Sequence, residues 1–244
     1  MINIRLDIQY KGTPYSGWQV QPKETTVQGL IEQAIEKVTG QKTTLYAAGR
    51  TDAGVHALGQ VANFRTAPKL PPEKYREALN FYLPAAIRIM TSAEVPDEFH
   101  ARKSARWRRY RYIVGDRLTA LYHEYRWEYP HPLDMERMNR IAAFIRGRHD
   151  FAAFCRVSSQ KEVNDCDVLE SRWNRVDDTL VYEVKANRFL HTMVRSLVGT
   201  MVDAGRDRDY LTLESFQDIM DSLDHTRIKT VAPARGLYLL AVGY

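Results

Sequence analysis

The chain has 244 residues, 44% hydrophobic and 27% charged, which suits one large or two small globular domains with a substantial core. Its formal net charge of +5 favours a polyanionic partner. Two cysteines, Cys155 and Cys166, exclude a disulfide framework, and no apolar stretch is long enough to span a bilayer. The N-terminus has the character of neither a signal nor a transit peptide, so a cytoplasmic protein with free thiols and no membrane contact is expected.

Ile2, Ile4, Leu6, Ile8 and Tyr10 alternate with polar residues, which predicts a strand with one buried face. Residues 11–23 form a turn-rich loop with Gly12, Pro14, Gly17 and Pro22. Thr25 or Thr26 then caps a helix whose stripe is Val27, Leu30, Ile31, Ala34, Ile35 and Val38, stopped by Gly40. Strands are expected at 41–48 and 60–66, a helix from Pro71 and Pro72 to about Phe81, and a strand at 86–95. The β-α-β-β-α-β order is the split βαβ, or ferredoxin-like, arrangement, whose uncovered sheet face takes nucleic acid in RNA-binding modules.

Between the two middle strands lies Gly49-Arg50-Thr51-Asp52-Ala53-Gly54-Val55-His56-Ala57. Asp52 has two readings: a turn residue bonding its own backbone, or a carboxylate presented at a strand end beside an arginine, a hydroxyl and a histidine. Residues 100–112 carry six basic side chains interleaved with Trp107, Tyr110 and Tyr112, and no acid. They fit a solvated basic edge strand, or a surface that neutralises phosphates and stacks bases. As a strand this stretch puts Tyr110, Tyr112 and Val114 on one side, and Arg109, Arg111 and Ile113 on the other.

The second half repeats the plan loosely. A strand is expected at 126–129, followed by a helix capped by Asp134 that turns Met138, Ile141 and Ile145 inward and stops at Gly147. A hairpin at 168–176 and 179–186 turns on Asp177-Asp178. Residues 189–204 form the most apolar helix, with His191 and Arg195 four apart on one face. An arginine on so apolar a helix is expected to reach a carboxylate or a cleft. Thr212 caps a last helix to about Leu223, and 237–242 is the closing strand. The expected domains are 1–100, carrying the Asp52 loop, and 101–244.

There is no Walker loop, dinucleotide glycine pattern or HExxH. The cysteines lack a CxxC or paired histidines, so neither a metal nor a cofactor is expected. His56 and His191 read as structural histidines more readily than as bases. One carboxylate with arginines and aromatics remains, and a carboxylate can attack sugar or base carbons.

The nine-residue Asp52 motif resembles the signature of the tRNA pseudouridine synthase A family. The likeness extends through Tyr10-Lys11-Gly12, Gly17-Trp18-Gln19-Val20-Gln21, Phe99-His100-Ala101-Arg102, Arg109-Tyr110-Arg111-Tyr112, Phe189-Leu190-His191, Met193-Val194-Arg195 and Gly236-Leu237-Tyr238-Leu239. The resemblance implies an α+β protein of two ferredoxin-like (RRM-like) lobes, mainly antiparallel, with a basic cleft between them. It implies a homodimeric isomerase, without metal or cofactor, that converts uridine to pseudouridine at positions 38, 39 and 40 in the tRNA anticodon stem-loop. Asp52 corresponds to the nucleophile, Tyr110 to the ring stacking on the target base, and Arg50 and Arg195 to active-site arginines. Arg195 is expected to hold Asp52, Arg50 to fill the gap left by the extruded nucleotide, and Leu237 to line the pocket.

Three first steps are open to Asp52: addition to uracil C6, attack on C1′, or removal of a sugar proton. Two departures from the family pattern stand out. Thr192 occupies a position where relatives often carry His or Asn, and 160–167 is an acidic surface loop where they often carry Arg-Thr. The rival readings are a non-catalytic RNA-binding protein with two RRM-like lobes, which lacks its aromatic strand motif here, and a metal-dependent RNA hydrolase, which lacks its clustered acids.

Overall fold

In the computed structural model, which describes residues 1–206 and 211–244, the N-terminal alternation becomes strand β1 (Ile2–Tyr10), with Ile4, Leu6, Ile8 and Tyr10 buried. Helix α1 (Val27–Thr39) starts at Thr26, whose hydroxyl accepts the Gly29 N–H. It stops at Gly40, whose left-handed φ of 69° lets its N–H reach the Glu36 carbonyl. Strand β2 (Tyr46–Ala47) is much shorter than the expected 41–48. Upstream of it side chains take the place of a ladder: the Leu45 N–H donates to the Glu32 carboxylate, and the Arg65 carbonyl accepts the Thr43 hydroxyl. Strand β3 (His56–Thr66) begins four residues earlier than expected, so the end of the Asp52 motif is already strand. Helix α2 (Tyr75–Tyr82), entered through a 3-10 turn at Pro72–Lys74, and strand β4 (Ile87–Val95) follow.

The chain continues as β5 (Trp107–Gly115), β6 (Trp127–Glu128), α3 (Met135–Phe144), β7 (Gly147–Asp150), β8 (Asp165–Val176), β9 (Thr179–Ala186), α4 (Met193–Arg206), α5 (Leu213–Ser222) and β10 (Leu237–Gly243). Two units result: Met1–Arg106 together with Tyr238–Tyr244, and Trp107–Leu237. Both are α+β with mainly antiparallel strand pairing.

In the first unit β1 pairs antiparallel with β3 (Leu6 opposite Ala62) and with β4 (Leu6 opposite Ser92), while β2 pairs with β3. The order β4-β1-β3-β2 is that of the split βαβ. β10 adds a parallel pairing to the start of β3, Tyr238 opposite His56 and Leu239 opposite Ala57. Ile4, Leu6 and Ile8, together with Ile31, Ile35, Tyr75 and Leu79, make up much of its core, and Phe64 meets Tyr75 edge-on.

In the second unit the antiparallel order is β5-β9-β8-β7, with β6 parallel to the end of β5. The β8–β9 hairpin turns on Asp177, at φ 50°, and Asp178. The Asn139 side chain of α3 brackets the Trp173 backbone, and the Trp173 indole donates to the Met201 sulfur at 3.2 Å.

Two expectations in this unit need correcting. α4 starts at Met193, not 189, because Thr192 takes a left-handed φ of 69° and ends the preceding turn. His and Asn populate that region more readily than a β-branched residue, which gives the Thr192 departure a physical content. His191 therefore lies outside the helix, its ring bonded to the Ser159 hydroxyl at 2.8 Å, and shares no helical face with Arg195. The acidic 160–167 stretch also runs into β8: Asp165 and Asp167 pair with β7, and Asp165 meets Arg148 at 2.8 Å.

Both cysteines are buried thiols, and burial pushes Cys166 up to about 12. Among the described residues no helix is long and apolar enough to cross a membrane. Leu223 closes α5 at φ 54° with nearly half its surface exposed. Leu223→Gly is expected to raise stability by about 0.5–1 kcal/mol by relieving that conformation, read as an increase in Tm.

Candidate active site

The Asp52 loop is held by groups drawn from three parts of the first unit. The Thr51 carbonyl accepts the Trp18 N–H at 3.0 Å, and the Thr51 hydroxyl is bonded to the buried Tyr10 hydroxyl at 2.7 Å. The Gly49 carbonyl accepts from the Gln60 amide at 2.7 Å, and the Asp52 carbonyl closes the turn by accepting the Val55 N–H at 3.1 Å. His56 is 2% exposed; its Nδ1 accepts the Gly12 N–H at 3.2 Å, and its ring stacks on Tyr238 at 4.8 Å. Since Nδ1 is the acceptor, a neutral ring carries its proton on Nε2. His56 thus staples the 11–23 loop to the motif.

Glycines set how closely these strands of backbone approach. A Cβ on Gly12 would overlap the Val55 carbonyl, and one on Gly17, at φ 91°, would lie 2.9 Å from the Thr51 carbonyl oxygen. Gly54 takes φ 80° inside the motif itself. These contacts present a half-buried Asp52 and an exposed Arg50 from a loop held through main chain and through the Tyr10, Thr51, Gln60 and His56 side chains.

Tyr110, Arg195 and Leu237 lie in the second unit. Tyr110 is buried on β5, opposite Val184, with its ring edge-on to Phe189 at 5.0 Å. Two residues on and facing the same side, Tyr112 donates its hydroxyl to the Pro233 carbonyl at 2.7 Å; burial raises its phenol well above the ordinary tyrosine range. Arg195 Nε donates to the Ala232 carbonyl at 2.8 Å, and the Ala232 N–H returns to the Arg195 carbonyl at 3.0 Å. Gly236 lies against Tyr112, where a Cβ would come 2.6 Å from the ring carbon Cζ. The buried Leu237 follows directly.

The basic 100–112 stretch divides its work. On β5, Arg109 forms a two-oxygen contact with Glu170 at 2.7 and 2.9 Å, and Arg111 meets Glu183 at 2.7 Å. Glu170 also takes Lys185, which stands directly opposite Arg109 in register and would otherwise repel it. These are cross-strand pairs reaching from β5 to β9 and β8, while Arg102, Lys103 and Arg106 remain exposed on the first unit.

The loop-holding residues Tyr10, Gln60 and Gly12 carried no assigned role in the sequence. Gln60 had a readable signal, a polar side chain at an inward position of a strand, and it is fully buried. Among the described residues no three His, Cys, Asp or Glu side chains gather as a metal site would.

A family model described as "tRNA pseudouridine synthase" matches residues 8–102 and 141–244. Arg50, Asp52, Arg195 and Leu237 fall inside the matched stretches, and Tyr110 falls between them. The tRNA pseudouridine synthase A of Brachyspira hyodysenteriae is 42% identical over 242 residues, covering 98% of this chain and 96% of that relative. Its namesake from Chlorobium luteolum is 43% identical over 245 residues, covering 100% and 96%. That of Thermoanaerobacter sp. (strain X514) is 40% identical over 246 residues, covering both chains fully.

Proposed function

The chain belongs to the tRNA pseudouridine synthase family, and from that premise we propose that it isomerises uridine to pseudouridine in tRNA with the Asp52 carboxylate as nucleophile. The reaction breaks the bond between uracil N1 and C1′, turns the ring, and joins C5 to C1′, while the C5 hydrogen leaves as a proton and N1 takes one up. A carboxylate does this work only if it is held still relative to the sugar and the base. The observation that carries the reading is the Asp52 loop, whose position is set by Tyr10, Gly12, Trp18 and Gln60.

The target uridine has to leave its stack, which costs a few kcal/mol. Tyr110 stacks on the extruded base, a contact worth about 1–3 kcal/mol, and the edge-on Phe189 ring fixes its orientation. Arg195 and Leu237 meet the same nucleotide, and Arg50 takes the space the base vacates. The uridines served are those of the anticodon stem-loop named above, and the enzyme acts in the cytoplasm as a homodimer.

Incubating the protein with unmodified tRNA and EDTA, then mapping pseudouridine, tests this reading. Product confined to the anticodon stem-loop is the expected result. A non-catalytic RNA-binding protein would bind the tRNA and leave every uridine unchanged, and that outcome would overturn the proposal.

A further inference from the structure

Helix α4 grips the segment 230–237 at three levels, each one turn apart: Arg195, Gly199 and Asp203. Arg195 exchanges two hydrogen bonds with Ala232. Gly199 leaves the segment room, since a Cβ there would overlap the Thr230 carbonyl. Asp203, only 7% exposed, accepts the Thr230 hydroxyl at 3.0 Å. The segment then docks on β5 through Pro233 and Gly236, both against Tyr112, and ends at Leu237.

A carboxylate buried on this helix costs free energy, and burial pushes its acid group upward while the Thr230 hydrogen bond, then Arg206 and Lys229, pull it back. Something has to offset that cost. The main-chain bonds at Ala232 cannot by themselves define which residue of the segment lies against which turn of the helix, because every residue of the segment except Pro233 offers the same N–H and C=O. The Thr230 hydroxyl is specific to one position, and Asp203 is the group that reads it.

We infer that Asp203 is a positioning residue for uridine isomerisation: by accepting the Thr230 hydroxyl it sets the register of segment 230–237 on α4, and so places the Arg195 guanidinium and Leu237. This rests on the proposed function, in which those two residues meet the nucleotide. Asp203 itself touches Thr230, not substrate.

The test compares kcat and KM for tRNA in the wild type and in Thr230→Val, Thr230→Ser, Asp203→Asn and the double variant Asp203→Ala/Thr230→Val. Thr230→Val keeps the shape and removes the donor. It is expected to lower kcat about tenfold with KM nearly unchanged, as the loss of one positioning hydrogen bond predicts. Thr230→Ser, which keeps the hydroxyl, and Asp203→Asn, which keeps the acceptor oxygen, are expected to recover most of the rate. The double variant is expected to fall no further than Thr230→Val, because both changes remove one contact. Wild-type kcat in Thr230→Val, or a Thr230→Ser as slow as Thr230→Val, would overturn the inference. A wild type that forms no pseudouridine would instead remove the function beneath it.

Discussion

Asp52→Asn is expected to end pseudouridine formation, with turnover falling by about three orders of magnitude or more, while the protein stays folded and still binds tRNA. The asymmetry comes from the loop. The Thr51 carbonyl and hydroxyl, the Gly49 carbonyl, the Asp52 carbonyl and the His56 ring all make hydrogen bonds that hold it. An asparagine leaves all of these in place and removes the negative charge that attacks. Tm is therefore expected to stay within a few degrees of wild type, a shift of about 1 kcal/mol or less. Asp52→Glu keeps the charge but moves it by one methylene from a loop that cannot follow, so it too is expected to lose about two orders of magnitude. Steady-state assays with mapped pseudouridine, beside thermal melts and tRNA binding, separate chemistry from folding.

Gly12→Ala is expected to have the largest effect of any single methyl group in the first unit. The new Cβ would overlap the Val55 carbonyl oxygen and crowd its carbon, and both belong to main chain that cannot swing aside. The same residue donates its N–H to His56 Nδ1, so moving it also breaks the staple between the 11–23 loop and the motif. A cost of about 3 kcal/mol is expected from overpacking with loss of a buried hydrogen bond. Activity is expected to fall further than the folded fraction does, because the displaced backbone carries Asp52. An alanine variant with wild-type Tm and rate would show that the loop tolerates displacement.

Why these residues matter was only partly legible in the chain. The alternation of β1, the Thr26 cap and Gly40 stop of α1, and the Asp177-Asp178 turn are local patterns, and local patterns survive into the fold. The motif residues of 49–57 were also legible as a candidate site, through their resemblance to a known signature. What was not legible depended on distant partners. β2 shrinks to Tyr46–Ala47 because a carboxylate on α1, Glu32, takes the Leu45 N–H. α4 starts late because Thr192 adopts a backbone conformation that hydrophobic periodicity cannot register. β8 runs back to Asp165 because β7 is there to pair with it. The return of β10 to the first unit, beside His56, joins residues about 180 positions apart, and no propensity encodes it. For the arginines of β5 the sequence left a solvated basic strand and a phosphate-binding surface both open; Glu183 on β9 and Glu170 on β8 claim two of them.

Joining C5 to C1′ must expel the C5 hydrogen, so tRNA carrying tritium at uridine C5 reports the chemical step alone. Under single-turnover conditions with enzyme in excess, the wild type is expected to release tritium to water from the anticodon stem-loop, and Asp52→Asn, bound to the same tRNA at full occupancy, is expected to release none. Tritium release by Asp52→Asn at a rate near wild type would contradict the claim that this carboxylate is the nucleophile.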